Sequence, residues 1–233
     1  MTHADPRYVD RVKPGPAWLY LHGFASSATS TKARAFVEWG AARGLAIQAL
    51  DLRRPSLQHL RFSAIVAHVR EAIEREGARG RVILIGSSLG GLTAARVAEV
   101  EPRVAALFLM APAFRLAERW RMRVGEHAWH RWRESDRLEI HDYATGEKTF
   151  VDHGFVEELE TIDAGTPDVR VPTCIVHGTR DETVDVALSR EWSAGRRHVR
   201  LVEVDDGHEL TASVPRVLDE ATAFFAPFGI AET

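Results

Sequence analysis

Short apolar runs alternate along the chain with longer segments in which apolar residues recur at the spacing of a helix. The apolar runs predict strands, because each is short and is bounded by polar residues or glycine. Strands are predicted at 17–21, 45–50, 82–85, 104–110, 172–177 and 198–204, helices at 30–44, 60–75, 92–100, 185–195 and 214–225, and a β-hairpin at 140–151. Continuously apolar strands that alternate with amphipathic helices predict an α/β protein whose mainly parallel sheet has helices on both faces.

Length and composition indicate a single globular domain over residues 1–233. Apolar residues make up 45% of the chain, and a net charge of −3 favours neither nucleic acid nor an anionic membrane as a partner. No apolar stretch reaches the about 20 residues of a membrane-spanning helix, and the N-terminus has no secretory signal, so a cytoplasmic location is expected. Cys174 is the only cysteine, which excludes an internal disulfide and a cysteine-based zinc site.

The apolar run at 82–85 leads directly into a Gly-x-Ser-x-Gly turn, Gly86 to Gly90, which a helix-like segment follows. Such a turn places its central serine, here Ser88, at a sharp strand-to-helix bend, the nucleophile elbow of serine hydrolases. Glycines flank the serine because the strained turn leaves no room for a Cβ atom at the two flanking positions. The five-residue pattern is weak evidence by itself, but the preceding strand and the following helix are the context that the motif requires. Ser88 is therefore the candidate nucleophile.

A serine hydroxyl needs a positioned base to become a nucleophile, and that base needs a group that orients it. After a nucleophile elbow, the acid comes next along the chain and the histidine comes last. Asp181 follows the strand at 172–177, and His208 follows the strand at 198–204. The carboxyl ends of parallel strands meet at one edge of the sheet, so both residues are predicted to lie beside the serine as its acid and its base.

Other carboxylates and histidines compete for these two roles. The competing acids are Glu182, Asp185, Asp205 and Asp206. Asp181 is preferred because it is the first carboxylate after its strand, whereas most loop carboxylates are only solvated. His22 and His177 precede glycines at strand ends and are interpreted as packing or turn residues. The histidines at 127, 130, 141 and 153 lack the regular spacing of metal ligands, so no metal site is expected.

Acyl transfer also needs hydrogen-bond donors for the oxyanion that develops on the acyl group, and backbone N–H groups are the expected donors. One donor comes from the residue after the nucleophile, which is Leu89. The other comes from the loop after the first strand, where the sequence His22-Gly23-Phe24 makes the Phe24 amide the natural choice. The side chain of Phe24 is not expected to take part in the chemistry.

The segment 112–152 interrupts the alternation of strands and helices, at the sheet edge where ligands bind. It contains three of the six tryptophans, and Leu116, Trp120 and Val124 recur every four residues, as one stripe of a helix would. Two compatible interpretations follow. The segment is a small lid in which Trp120 and Trp129 form part of a substrate pocket, or it is an amphipathic structure that buries its tryptophans against the sheet.

In combination, these motifs resemble the α/β-hydrolase superfamily over nearly the whole chain. They are Leu21-His22-Gly23-Phe24 with Ser26-Ser27 and Lys32-Ala33, Gly86-Ser-Ser-Leu-Gly-Gly91, His177-Gly178 with Asp181, and Gly207-His208. Residues 19–33 and 84–91 are similar to the small bacterial YqiA-type esterases and, more distantly, to acyl-protein thioesterase-like hydrolases. The resemblance implies an α/β-hydrolase fold and hydrolysis of small-molecule carboxylic esters or thioesters through an acyl-enzyme. It also implies that no metal or organic cofactor is needed.

Other functions stay open for the same residues. The triad also supports cofactor-free perhydrolysis or cleavage of carbon–carbon bonds in diketones, and the fold also serves as a non-catalytic ligand-binding protein. Haloalkane dehalogenase and epoxide hydrolase chemistry is disfavoured because those enzymes use an aspartate at the position of Ser88. Arg53 and Arg54 follow the second strand and are interpreted either as sites for an anionic substrate or as partners of nearby acids.

Overall fold

Within the described residues, 15–76, 80–162 and 165–228, the computed structural model has six parallel strands in one sheet and a separate two-stranded hairpin. The strands are β1 (Ala17–Leu21), β2 (Ile47–Leu50), β3 (Val82–Ser87), β4 (Val104–Met110), β5 (Leu138–Asp142), β6 (Glu147–Val151), β7 (Thr173–Gly178) and β8 (Val199–Val204). The sheet has the order β2-β1-β3-β4-β7-β8, and its neighbours all run parallel. The predicted α/β class is confirmed.

Helices flank this sheet. They are α1 (Thr31–Ala41), α2 (Phe62–Arg75), α3 (Leu89–Val100), α4 (Leu116–Val124), α5 (Glu126–Ser135), α6 (Gly154–Ile162), α7 (Val186–Ser193) and α8 (Val214–Phe225). A 3-10 turn, Ala226–Phe228, follows α8. In the part of the chain that the structure describes, no helix is long and apolar enough to span a membrane.

The two faces of the sheet carry two separate halves of the core, because successive side chains of a strand point to opposite faces. Leu19 of β1 and Leu84 of β3 are buried on the face that α2 and α3 cover. Trp18 and Ile83 are buried on the other face, against Phe36 and the rest of the cluster from α1 and α8. Each such side chain contributes about 1.5–3 kcal/mol by leaving water. Burial on both faces explains why these strands are continuously apolar.

The predicted elements are present with shifted ends. Helix α3 begins at Leu89, directly after the predicted nucleophile, rather than at residue 92. Helix α1 begins after Ser30, whose Oγ accepts a hydrogen bond from the Ala33 N–H at 3.3 Å, as the side chain of an N-cap residue does. The sequence pattern does not predict α6, which buries Phe155 and neighbouring apolar residues against the core.

The insertion at 112–152, called the lid from here on, contains α4, α5 and the antiparallel hairpin of β5 and β6. The predicted hairpin is therefore present. Two ion pairs attach its hairpin to the body of the protein. Arg53 Nη2 donates to Asp142 Oδ1 at 2.5 Å, and Arg61 Nη1 donates to Asp152 Oδ1 at 2.6 Å. Of the two interpretations of Arg53, the structure has the pairing with a nearby acid.

Candidate active site

The turn after β3 holds Ser88 in a conformation that serine rarely adopts, with φ 53° and ψ −115°. Its N–H donates to the Met110 carbonyl at 2.9 Å, and its carbonyl accepts from the Ala113 N–H at 3.0 Å. The two flanking glycines are required by space. A Cβ atom on Gly86 would collide with the carbonyl of Gly90, and one on Gly90 would collide with the carbonyl of Leu21. Main-chain atoms at the start of α3 therefore lie in direct contact with those at the ends of β3 and β1.

Three side chains from three loops form one hydrogen-bonded chain at the carboxyl edge of the sheet. His208 Nε2 lies 3.0 Å from Ser88 Oγ, and His208 Nδ1 lies 2.7 Å from Asp181 Oδ2. Oδ1 of the fully buried Asp181 accepts from the N–H groups of Thr183 at 2.8 Å and Val184 at 2.7 Å. A carboxylate only accepts hydrogen bonds, so Nδ1 carries the proton and Nε2 is free to accept the serine proton.

The environment of Asp181 keeps its carboxylate ionised. Burial acts to raise the pKa of Asp181, but hydrogen bonds from His177, His208 and the Val184 N–H outweigh it and hold that pKa well below the usual range. Such an anion fixes the tautomer of the histidine and stabilises the imidazolium that forms when the histidine takes a proton.

Three of the four competing acids have other partners, and Glu182 is exposed. Asp185 caps α7, where its Oδ1 accepts from the Ala187 N–H at 2.8 Å. Asp205 pairs with Arg180 at 2.7 Å on the surface. Asp206 closes its own loop, since Oδ1 accepts from the Gly207 N–H at 2.7 Å. Among the described residues, Asp181 is thus the one carboxylate that bonds to His208.

The loop after β1 lies directly against the serine. A Cβ atom on Gly23 would be 3.3 Å from Ser88 Cβ, so the amide of the next residue, Phe24, begins beside Ser88. Within the described residues, neither the Phe24 N–H nor the Leu89 N–H donates to a protein acceptor. Both amides are therefore available to a ligand atom, as donors to an oxyanion must be.

Ser88 and His208 line a cavity of about 700 Å³ between the lid and the carboxyl ends of the strands. Two sets of residues give it different chemistry. The apolar wall, mainly from the lid, consists of Phe24, Leu116, Trp120, Val124, Leu138 and Ile140. The lid also contributes charged and polar side chains to the lining, among them Arg119, Arg123, Glu139 and His141. The polar wall, from β1, α1 and the segment between them, consists of Tyr20, Ser26, Ser27, Ser30, Thr31 and Lys32. The cavity can therefore hold a molecule with one apolar and one polar part.

Of the two tryptophans predicted to line the pocket, one lines the cavity and the other does not. Trp120 lines the cavity and packs edge-on against the ring of Phe24, with 4.8 Å between the ring centroids. Trp129 is only 5% exposed and packs instead against Trp132 at 5.7 Å and His153 at 5.4 Å. The expectation for Trp129 is corrected, because its face of α5 turns towards the core. Trp120 thus lines the cavity, and Trp129 is buried in the core.

Two buried histidines brace the loops of the site. His177 Nε2 donates to the Val184 carbonyl at 2.9 Å and lies 3.2 Å from Asp181 Oδ2, while Nδ1 accepts from the Ser189 hydroxyl at 2.7 Å. His22 Nε2 accepts from the Leu52 N–H at 2.9 Å, and burial lowers the pKa of His22. The contact of His177 with the acid was not predicted from the sequence, where its four-residue spacing from Asp181 is the only signal.

The reversal of strand order beside β1, the strained turn after β3, and the acid and histidine loops after β7 and β8 together define an α/β-hydrolase fold. Within this fold, the chain belongs to UPF0227, an uncharacterised protein family, whose family model matches residues 17–226. The resemblance to the α/β-hydrolase superfamily is thereby confirmed. No curated protein sequence is detectably similar to the chain.

Solved structures with the same fold cover nearly the whole chain. Alpha/beta hydrolase domain-containing protein 10 from mouse is 20% identical, with a TM-score of 0.76 and coverage of 91% of both chains. A putative hydrolase of the alpha/beta superfamily from Xanthomonas campestris pv. campestris is 25% identical, with a TM-score of 0.61 and coverage of 92% of this chain and 98% of that one. Est1E from Butyrivibrio proteoclasticus with bound ferulic acid is 19% identical, with a TM-score of 0.72 and coverage of 94% and 92%. These similarities show that the chain shares their fold.

Proposed function

We propose that the protein is a serine hydrolase that cleaves carboxylic esters or thioesters through an acyl-enzyme. The observation that carries this proposal is the continuous hydrogen-bonded chain from Ser88 Oγ through His208 to the ionised Asp181, with distances of 3.0 Å and 2.7 Å. Nucleophilic catalysis by serine needs this arrangement of nucleophile, base and orienting acid. A fold that serves only to bind ligands has no need for a charged carboxylate buried behind a histidine.

In the acylation step, Ser88 Oγ attacks the acyl carbonyl carbon while its proton moves to His208 Nε2. The carbonyl oxygen becomes an oxyanion, which accepts hydrogen bonds from the N–H groups of Leu89 and Phe24. His208 then gives its proton to the leaving oxygen or sulfur, and the bond between that atom and the acyl carbon breaks. An acyl group remains on Ser88, and the alcohol or thiol is released.

In the deacylation step, His208 takes a proton from water, and the resulting hydroxide oxygen bonds to the acyl carbon. The same two amides hold the second oxyanion. The Ser88 oxygen leaves with the proton from His208, so the free serine and a carboxylic acid are restored. Asp181 stays ionised throughout and stabilises the imidazolium in both steps.

The apolar wall supports an acyl group of hydrocarbon character as the part of the substrate that packs under the lid. Phe24 and Trp120 line this side of the cavity and are packed against each other. Burying hydrocarbon surface there stabilises a bound acyl chain by about 0.8 kcal/mol per methylene group. We therefore expect the preferred chain length to depend on the lid.

A fluorophosphonate probe and a p-nitrophenyl butyrate assay test the proposal together. The Ser88→Ala variant should lose about 10⁵-fold or more of kcat and all labelling by the probe, because the attacking oxygen is gone. Ser193→Ala, at the surface end of α7, is the matched control and should keep both activity and labelling. Labelling at Ser87, or unimpaired turnover by purified Ser88→Ala protein, would overturn the assignment.

A further inference from the structure

The start of α1 presents unpaired backbone donors to the polar wall of the cavity. Ser30 satisfies two N–H groups of the first turn, those of Ala33 and Arg34. The N–H groups of Thr31 and Lys32 donate to no acceptor among the described residues, and the first turn contains no acidic side chain. A helix start with free N–H groups carries a partial positive charge and attracts anions.

The phenol of Tyr20 supplies a second, independent donor at the same place. Tyr20 is fully buried and lines the cavity, yet its hydroxyl has no hydrogen-bond partner in the part of the chain that the structure describes. Burial raises the pKa of Tyr20, so the phenol is protonated at neutral pH. Buried polar groups in proteins are normally hydrogen-bonded. The cavity lining covers this hydroxyl in the structure, so an acceptor in the cavity would reach it once the neighbouring lining moves aside.

Lys32 adds a full positive charge beside these donors. Its Nζ donates to the Glu209 carbonyl at 2.8 Å and lies 3.5 Å from a carboxylate oxygen of Glu209, whose side chain is 72% exposed. The side chain of Lys32 itself is only 13% exposed, and burial lowers its pKa more than Glu209, Asp181 and Asp206 raise it. Among the described residues, Glu209 is the carboxylate that pairs with the Lys32 ammonium group, and it does so at 3.5 Å through a side chain that faces solvent. An anion in the cavity can therefore share this ammonium group.

We propose that Tyr20, Lys32 and the start of α1 form a subsite for an oxyanion, a carboxylate or a phosphate, on the leaving group of the substrate. This inference rests on the proposed function. His208 protonates the leaving atom, and the carbonyl that Lys32 binds belongs to the next residue, Glu209. The leaving group therefore departs towards the polar wall, while the apolar wall takes the acyl chain.

The chemical class that fits both walls is an ester or thioester of an apolar acid with a hydroxy acid, a phosphorylated alcohol or the corresponding thiol. The oxyanion would accept hydrogen bonds from the Tyr20 hydroxyl and the free amides, and would pair with the Lys32 ammonium. Hydrogen bonds of this charge-assisted kind are stronger than neutral ones and are directional, so they select the leaving group as well as bind it.

Matched substrates isolate the contribution of the anion. We would compare kcat/KM for 4-acetoxybenzoate and for 4-acetoxyphenyl phosphate with that for the neutral 4-acetoxybenzamide, so that a carboxylate and a phosphate are tested separately. The wild-type protein should prefer at least one anionic ester, and Tyr20→Phe and Lys32→Met should each lower that preference about tenfold. Arg170→Met, which removes an exposed cation that does not line the cavity, is the control and should leave the preference unchanged.

Binding to the Ser88→Ala protein gives a readout that does not depend on turnover. Calorimetry with 4-hydroxybenzoate and with phenyl phosphate should detect binding that Tyr20→Phe weakens, whether or not the serine is the nucleophile. Three results would overturn the subsite: no preference and no binding of either anion, an equal loss for anionic and neutral esters in the variants, or a loss of preference confined to Arg123→Met. The last result would assign the anion to the lid, since Arg123 also lines the cavity.

Discussion

Ser88 carries its hydroxyl on a backbone conformation that glycine tolerates better than serine does. A positive φ of 53° with ψ −115° brings the Cβ atom close to the backbone, which costs on the order of 1–3 kcal/mol at such residues. Hydrogen bonds from the turn to β4 and to the start of the lid hold this conformation in place. The strain exposes the hydroxyl at the end of the strand, where His208 reaches it.

Because of this strain, we expect glycine to be more stable than alanine at position 88, which is the reverse of their usual order inside a helix. Ser88→Gly should be more stable than Ser88→Ala by about 1 kcal/mol, because only glycine relieves the crowding of Cβ. At Ala67, an exposed position inside α2, Ala→Gly should instead destabilise the protein by about 1 kcal/mol. Thermal unfolding of these variants measures both differences, and an alanine variant as stable as the glycine variant at position 88 would contradict the prediction.

The two helices of the lid have different tasks because their tryptophans face different ways. Trp120 of α4 lines the cavity and contacts Phe24 and Phe155, with centroid distances of 4.8 Å and 5.2 Å. Trp129 of α5 lies in the core below the lid, and its neighbour Trp132 donates from Nε1 to the Val151 carbonyl at 2.9 Å. Helix α5 therefore fixes the lid, and α4 shapes the pocket.

Paired substitutions separate these tasks. Trp129→Ala should lower the free energy of unfolding by about 3–5 kcal/mol, as the loss of a buried aromatic side chain does. Trp120→Ala should change the preference among p-nitrophenyl esters of different chain length with a smaller loss of melting temperature, because its side chain is partly exposed to the cavity. An unchanged chain-length preference together with the larger loss of stability in Trp120→Ala would reverse the assignment of the two helices.

The whole molecule should lose stability in two stages on acidification. Burial lowers the pKa of His22, which is neutral in the fold because Nε2 accepts from the Leu52 N–H. As the pH falls, His22 takes up a proton in the unfolded chain before it does so in the folded protein. The contribution of His22 to stability is therefore full above about pH 6.5 and falls as the pH drops from there towards the folded pKa. Asp142 and Asp152, which attach the lid, have lowered pKa values despite their burial. Hydrogen bonds from the Ala144 N–H and Arg53 lower the pKa of Asp142, and bonds from Arg61 and His59 lower that of Asp152. Their contribution is present above about pH 4 and is lost below it.

The first stage, the loss of stability assigned to His22, can be measured by urea unfolding at pH 8, 7, 6 and 5. Stability of the wild-type protein should decline from pH 7 to pH 5, and the decline should be smaller in His22→Gln, whose side chain does not take up a proton. His127→Gln, at an exposed position of α5, should leave the slope as it is in the wild type. Equal slopes in the wild type and in His22→Gln would show that His22 does not titrate on unfolding.

The sequence predicts those features that depend on local pattern and chain order. Parallel topology brings strand ends together, so the order of Ser88, Asp181 and His208 was enough to choose them, and the structure places them in one chain of hydrogen bonds. The orientation of Trp129 and the contact of His177 with Asp181 depend on how distant elements pack, which periodicity does not encode. Helix α6 was not predicted for the same reason. Its apolar residues are buried by packing against the lid and α2, and the local pattern does not show this packing.

The close approach of Gly90 to the Leu21 carbonyl affects how the sequence of this protein can evolve. The nucleophile turn and the loop that supplies the Phe24 amide are held at a fixed spacing by main-chain atoms, which no side-chain substitution elsewhere supplies or removes. Residues of the lid line the cavity without setting that spacing. Under the proposed function, mutations in the lid would therefore alter the range of molecules that are accepted while Ser88 and the two amides keep their positions.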